Sequence, residues 1–493
     1  MDEHSNSAPP ANLAALIDTL SGARVLAVGD VMLDRYVSGT VDRISPEAPI
    51  PVLHVQAERA MLGGVGNVVA NLAALGGCGT LVAALGDDGA GDEVRWLLSG
   101  LNTITPALAT DDGRRTTQKT RFVGGAQQLM RADMESGEPL SGAALDTVLE
   151  LAAEASTEVG AVVLSDYGKG VLTRAVIEGV IEAAHAAEIP VIVDPKGFDY
   201  ARYKGADIVT PNKKELAEAT NMAVDSDAAV IAACEHLIKS CGIGGVLATR
   251  SAEGMTLVLN GQEPRHFKAE AREVFDVSGA GDTVVASLAL GLAAGADASD
   301  AAQLANIAAG IVVGKSGTAT VSADELSHAI HHQDLSQAEA KLAGLDHATS
   351  IVAGWRERGR SVGFTNGCFD LLHPGHISLL AQARGACDRL VVGLNSDASV
   401  KRLKGETRPV QSEAARAAVL GALAAVDLVV IFGDDTPVSL IETLRPDVLV
   451  KGADYAIDQV VGADIVQGYG GRVVLADLAD GHSTTNTIAK LKT

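Results

Sequence analysis

The chain has 493 residues, room for roughly two to four domains with cores of their own. Apolar residues at 47% and charged residues at 20% place it among globular proteins and exclude disorder as the global state. A net charge of −23, with only 7 Phe, 2 Trp and 6 Tyr, argues against a nucleic-acid or anionic-membrane partner, yet small anions can still be held at helix N-termini.

The first residues, MDEHSNSAPPANLAAL (1–16), are acidic and lack the apolar core of a signal peptide. The most apolar stretch, Val284 to Ala296, is too short to span a bilayer and lies between Asp282 and Asp297. Five cysteines without a C-x-x-C pair or metal spacing fit reduced thiols. A soluble cytoplasmic protein, with no membrane or nucleic-acid partner, is therefore expected.

From residue 23 onward a β-branched run, a Gly/Asp turn and an Ala/Leu-rich stretch recur. ARVLAVGD (23–30), GAVVLSDYG (160–168), IPVIVDPKG (189–197), ADIVTPN (206–212) and GGVLATRS (244–251) carry the runs. Continuous apolar strands alternating with helices predict an α/β fold with a parallel sheet covered on both faces. Ligands sit at the carboxyl ends of such strands, where Asp30, Asp166, Asp194 and Asn212 fall. RRTTQKTRFVGGAQQLMRAD (114–133) alternates instead and predicts an inserted β-ribbon, a lid or dimer contact whose open edge invites a symmetric partner. Around 328–350 the pattern lapses into polar helical sequence and then restarts at 359–367, 388–397, 426–434, 446–454 and 471–478. This predicts a first domain over 1–335, a linker over 336–358 and a smaller, different α/β domain over 359–493.

The first domain's most informative segment is VFDVSGAGDTVVASLALGLAAG (274–295). Its small residues let the amides of Gly279, Ala280, Gly281 and Asp282 converge at a helix start, an anion hole for a transferring phosphate. Asp282 can take the proton of an attacking hydroxyl. With Asp276 to Asp282 reading D-x-x-G-A-G-D, this half resembles the ribokinase-like carbohydrate kinases. The glycine pair of that family is matched at Leu62-Gly63-Gly64-Val65-Gly66-Asn67. The resemblance implies that Asp34, Gly64 and Asn67 hold sugar hydroxyls, carboxylates being suited to diols. It implies ATP contacts at Asn212, Lys213, Lys214 and Glu215 of TPNKKE, with Glu215 organising Mg²⁺ through water. Thr249 and Asn306 are placed beside the nucleotide in the same way. Lys119, Arg121 and Arg131 of the ribbon, with Lys169 and Lys196 after strand ends, are candidates to clamp a phosphate already on the sugar.

In the second domain, VGFTNGCFDLLHPGHISLLAQAR (362–384) runs from a strand through a Gly turn into His373-Pro374-Gly375-His376 at a helix start. The two histidines, three apart, share one face and can stabilise charge developing on an α-phosphate; Gly375 lets a nucleotide approach the backbone. No protein nucleophile is needed, because a substrate phosphate oxygen attacks directly. This half resembles the cytidylyltransferase-like nucleotidyltransferases with their H-x-G-H motif, a smaller Rossmann-like α/β domain. The resemblance implies nucleotide contacts at Thr365, Asn366, Gly367 and Phe369, and at Ser483, Thr484 and Thr485 of the C-terminal GHSTTN. Lys401, Lys404 and Arg408 would supply mobile positive charge over the triphosphate, with Arg416 and Lys451 as further candidates.

Both halves in this order resemble the bifunctional heptose kinase/adenylyltransferase family of ADP-heptose biosynthesis over residues 22–491, through stretches such as RISPEAPIPV (43–52), LSDYGKG (164–170) and LNSDASVKRLKG (394–405). The resemblance implies ATP, heptose 7-phosphate and heptose 1-phosphate as substrates and Mg²⁺ as cofactor, while the open edge of the ribbon over 114–133 predicts a homodimer. Val65-Gly66 and Gly124-Gly125 depart from the family pattern and bear on acceptor identity. An alternative is a ribokinase-like kinase for another sugar phosphate, fused to a cytidylyltransferase for its 1-phosphate.

Overall fold

The computed structural model describes residues 13–125, 127–269, 276–315, 317–330, 341–453, 456 and 459–477. The chain divides into two compact units, residues 1–330 and 331–493.

Among the described residues, the first unit is built on a nine-stranded sheet. Its order from one edge is Arg265–Phe267, Met255–Leu259, Gly245–Thr249, Ile208–Val209, Val191–Asp194, Ala161–Ser165, Arg24–Gly29, Cys78–Leu85 and Ile104–Thr110. Pairing is parallel except at Met255–Leu259, which is antiparallel to both neighbours. The central strands are apolar along their length and buried, as in Ala161–Ser165, because helices cover both faces. Helices Val65–Ala74, Ala280–Ala293 and Ala298–Val312 pack on one face; Gly142–Ala155, Arg174–Ala186 and Asp227–Cys241 pack on the other. Helix Ala280–Ala293 is buried on all sides from Asp282 to Gly291. Its small residues make that possible, since a Cβ on Gly291 would stand 3.0 Å from Ala301.

The lid is larger than the expected ribbon. Hairpin Thr117–Gly124/Gln127–Met134 joins a second hairpin, Val31–Ile44/Pro51–Gly64, in a four-stranded sheet. Gly124 ends its strand and Gly125 (φ 61°) makes the turn, so this glycine pair serves the hairpin. Val65 is fully buried, and a Cβ on Gly66 would stand 3.1 Å from Val31 and Leu62, so the Val-Gly pair follows from tight packing.

The second unit carries a five-stranded parallel sheet among the described residues, in the order Leu428–Phe432, Arg389–Asn395, Val362–Gly367, Val448–Gly452 and Arg472–Ala476. The first strand in sequence lies in the middle, so the chain reverses its direction of travel there and opens a crevice at its carboxyl end. Part of the expected linker belongs to this unit. Leu342 bridges to Val429, and helix Leu345–Glu357 buries Ala348 and Val352 in the same core as Phe364 and Leu428. Apolar residues spaced three and four apart give that polar stretch one buried face.

Candidate functional sites

In the first unit, helix Ala280–Ala293 starts after Gly279, whose φ of 78° is the left-handed conformation glycine tolerates. A Cβ there would stand 2.6 Å from Asn67 Nδ2. Helix geometry leaves the first amides, those of Gly281 and Asp282, without intrahelical acceptors, whereas the Ala280 amide donates to Val277 O at 3.3 Å. The anion hole is thus narrower than the four amides expected.

Asp282, 2% exposed, is held on both oxygens. Oδ2 accepts from Asn67 Nδ2 at 2.8 Å and Oδ1 from the Tyr167 hydroxyl at 2.7 Å. Burial pushes its pKa up to about 6, against the lowering effect of those two donors. Asn67, expected on a sugar hydroxyl, therefore has its amide turned to Asp282. Its neighbour Asn71 donates to Asn67 O at 3.0 Å and accepts from Thr283 Oγ1 at 3.1 Å.

The lid carries the expected sugar ligands. Asp34, 3% exposed, accepts from Arg121 Nη1 at 2.8 Å, and Arg121 lies 5.1 Å from the Tyr36 ring centroid. Gly63 makes room for this carboxylate, since a Cβ would stand 2.7 Å from Asp34 Oδ2. Gly64, at φ 57°, caps helix Val65–Ala74 directly against the Asp30 carbonyl. Lys119 lies opposite Asp34 in the lid register and 5.5 Å from the Tyr167 ring centroid. Burial lowers the Lys119 pKa, with Asp34 opposing. Arg131 is half exposed and neutralised by Asp133 at 2.8 Å.

On the nucleotide side, Asn212 and Glu215 form a reciprocal capping box, Glu215 N–H donating to Asn212 Oδ1 at 3.0 Å and Asn212 N–H to Glu215 Oε2 at 3.1 Å. Thr249 is bridged to Asn212 across the sheet. Asn306 donates to Lys268 O at 2.9 Å. Lys213 pairs with Glu253 at 3.0 Å, while Lys214 stands in solvent beside Glu218. Asp194, one of the residues expected at ligand-facing strand ends, has its carboxyl pushed well above the usual range by burial and then by the charges of Asp282 and Glu215, with Lys196 opposing. A cation would relieve that repulsion, so Asp194 and Glu215 suit Mg²⁺ held largely through water. Among the described residues no group of three or more His, Cys, Asp or Glu could hold a metal directly.

In the second unit, His373 caps helix Pro374–Gly385, with Gly375 and His376 in its first turn. The two imidazoles stack with centroids 3.8 Å apart, and Phe369 lies 5.2 Å from His376. Burial, then the His373 charge, lowers the His376 pKa to about 4. His376 Nδ1, Thr365 Oγ1 and Asn366 Oδ1 are buried without a hydrogen-bond partner among the described residues. Those of Thr365 and Asn366, at the carboxyl end of strand Val362–Gly367, call for a polar ligand. A Cβ on Gly367 would stand 3.1 Å from the Phe369 ring. Lys451 donates to Asn366 O at 3.1 Å.

The expected cations differ in fate. Lys401 and Lys404 are exposed in the last turn of helix Asp397–Lys404. Arg408 is paired with Asp370, a buried carboxylate the motifs did not single out, which also accepts from Val410 N–H at 2.6 Å. Arg416 is fully buried. It donates to Cys368 O, Asn395 O, Gln411 O and Asp397 Oδ1, which makes it a brace between loops. Ser483, Thr484 and Thr485 lie outside the described residues.

Residues 23–325 match the family model of the pfkB family carbohydrate kinases, and residues 364–477 that of the cytidylyltransferase-like proteins. Fold and sites thus define a sugar kinase joined to a nucleotidyltransferase. Over 97% of its length the chain is 60% identical to the bifunctional protein HldE of Paramagnetospirillum magneticum, covering 98% of that protein. It is 57% identical to the same-named protein of Rhodospirillum rubrum, over 98% of this chain and 97% of the relative. The chain belongs to this family of bifunctional HldE proteins. Among solved structures, phosphofructokinase-2 from Escherichia coli in complex with potassium matches 63% of this chain and 99% of its own, with 22% identity and a TM-score of 0.54, a likeness of fold.

Proposed function

We propose that the first unit phosphorylates D-glycero-β-D-manno-heptose 7-phosphate at its anomeric hydroxyl, and that the second transfers AMP from ATP to heptose 1-phosphate. The observation that carries this reading is the pairing, in one chain, of a buried two-point-held carboxylate at a kinase helix start with a stacked His-x-x-His pair at a nucleotidyltransferase helix start.

In the kinase, Asp282 takes the proton from the anomeric hydroxyl as that oxygen attacks the γ-phosphorus and ADP leaves. The free amides of Gly281 and Asp282 meet the transferring phosphoryl group. Asp34 holds sugar hydroxyls, and Lys119 and Arg121 are cations within reach of the 7-phosphate. Asp194 and Glu215 would hold Mg²⁺ arriving with ATP, largely through water, and the ion would supply neutralisation of phosphate charge.

In the second unit, an oxygen of the sugar 1-phosphate attacks the α-phosphorus of ATP and pyrophosphate departs. His376, neutral near pH 7, acts as a hydrogen-bond donor to that phosphate, with His373 beside it. The orphaned Thr365 and Asn366 oxygens accept from the nucleotide.

The lid sheet and its hairpin connection expose Val41, Ile44, Ile50, Val55, Met130 and Met134, a surface suited to a second copy and so to a homodimer. Concentration-independent monomer mass in light scattering would remove that assignment. No described helix is long and apolar enough to cross a membrane; the free thiols and ATP-dependent chemistry support a cytoplasmic setting.

The deciding assay incubates the full chain with Mg²⁺–ATP and heptose 7-phosphate, with fructose 6-phosphate and ribose in parallel and Asp282→Asn as control. A heptose bisphosphate that disappears in the control is expected. Turnover of another sugar alone would keep the chemistry and sink the heptose assignment.

A further inference from the structure

We propose that Tyr167 is a positioning residue of the kinase site, its hydroxyl fixing the Asp282 carboxylate and its ring seating the lid lysine, Lys119. The inference rests on the reading of Asp282 as the base.

The loop after strand Ala161–Ser165 is held by two buried aspartates. Asp30, at the end of the adjacent strand, accepts from the amides of Tyr167, Lys169 and Val171 at 3.0, 2.9 and 3.0 Å. Asp166 accepts from Gly168 N–H at 2.8 Å and from the Tyr203 hydroxyl at 2.7 Å. The loop that carries Tyr167 is therefore held at four amides, Tyr167's own among them, and its phenol reaches Asp282 Oδ1 at 2.7 Å from a fixed origin. Burial, followed by the Asp282 charge, raises the phenol's pKa well above its ordinary value, so it stays protonated and donates to the carboxylate.

Asn67 grips the other oxygen at 2.8 Å. A carboxylate with a donor on each oxygen cannot rotate about its Cβ–Cγ bond without losing both hydrogen bonds. Each oxygen retains one further lone-pair direction for the acceptor hydroxyl, so the base is presented in a single orientation. On the other side of the ring, Lys119 of strand Thr117–Gly124 lies 5.5 Å from the centroid. Tyr167 thus touches both the base and a cation carried by the lid, and a lid held away from the body would lose that seat.

The test compares wild type, Tyr167→Phe and Asp282→Asn in the full chain, measuring heptose 7-phosphate kinase turnover against pH. Tyr167→Phe keeps the ring and the Lys119 seat and removes only the donor. Its kinase kcat is expected to fall about ten- to a hundredfold, the range of one charge-assisted hydrogen bond, with KM for both substrates within about twofold. The acid limb of its kinase profile moves to higher pH, because a donor that favoured the carboxylate is gone; a merely structural role would leave the limb in place. Adenylyltransferase activity stays at wild-type values, and circular dichroism shows the kinase unit fully folded at the assay temperature although its melting temperature falls by a few degrees, which separates this effect from misfolding. Asp282→Asn inactive with Tyr167→Phe within twofold of wild type and an unmoved limb overturns the role of Tyr167 alone. Asp282→Asn active overturns the base assignment itself and the inference with it.

Discussion

Arg416 separates a structural brace from a nucleotide contact. Its side chain is fully buried and donates through Nε to Gln411 O at 3.1 Å, through Nη1 to Cys368 O at 2.6 Å and Asn395 O at 2.8 Å, and through Nη2 to Asp397 Oδ1 at 2.6 Å. Arg416→Met fills much of the volume and leaves those acceptors without a donor. Asp397 is partly exposed and can be rehydrated, whereas the carbonyls of Cys368 and Asn395 face the buried guanidinium. Removing one partner of a buried, hydrogen-bonded charge costs about 3–5 kcal/mol, so roughly 4 is expected here. Arg416→Lys keeps the charge but cannot reach four acceptors in different directions, and about half that loss is expected. With a urea m-value of about 2 kcal/mol/M, the unfolding midpoint of the second unit falls by about 2 M for Met and about 1 M for Lys. Tryptophan fluorescence reads this unit selectively, because Trp355 packs against its core while Trp96, in the first unit, is 70% exposed. A Met variant with an unmoved midpoint and a raised KM for ATP would refute the brace and return Arg416 to the nucleotide.

Further outcomes are expected at three residues, Asp282, His376 and Gly64. The kinase kcat/KM has an acid limb near the Asp282 pKa of about 6 and falls about tenfold per pH unit below it, since the base must be ionised. The same raised carboxyl binds more protons folded than unfolded, so its contribution to stability declines as pH rises through that window; urea midpoints at pH 4 and 6 for wild type and Asp282→Asn check the sign. His376→Ala lowers adenylyltransferase kcat about a hundred- to a thousandfold and leaves the kinase intact, and a drop under tenfold would remove His376 from the reaction. The low pKa of His376 also means that its contribution to stability is present above the ordinary histidine range and is lost as pH falls toward about 4. Gly64→Ala forces a side chain into φ 57° against the Asp30 carbonyl and destabilises the kinase unit by about 2–3 kcal/mol, measured as a lower urea midpoint for loss of kinase activity.

The parallel α/β character, the glycine turn opening helix Ala280–Ala293 and the His-x-x-His pair at a helix start were legible because each is local. An apolar run, a glycine turn and a helix start lie within a few residues of one another, and their spacing alone sets which groups share a face. The lid hairpin Val31–Ile44/Pro51–Gly64 left a weaker trace, two β-rich runs around the Ser45–Pro49 turn, and it was hidden because its strands join partners 117–124 rather than the main sheet. Cations were the least legible. Lys401, Arg408 and Arg416 read alike as positive charge near a phosphate, yet one is solvated, one is paired with Asp370 and one is sealed inside. Sequence by itself determined the apolar strands of the two parallel sheets and the glycine turns that open helices Ala280–Ala293 and Pro374–Gly385. Only the tertiary structure decided that Tyr167 and Asn67 meet on Asp282, across 115 and 215 residues of chain. Such pairings depend on strand order and register, which bring carboxyl ends together in space, and no local pattern of residue types encodes that distance.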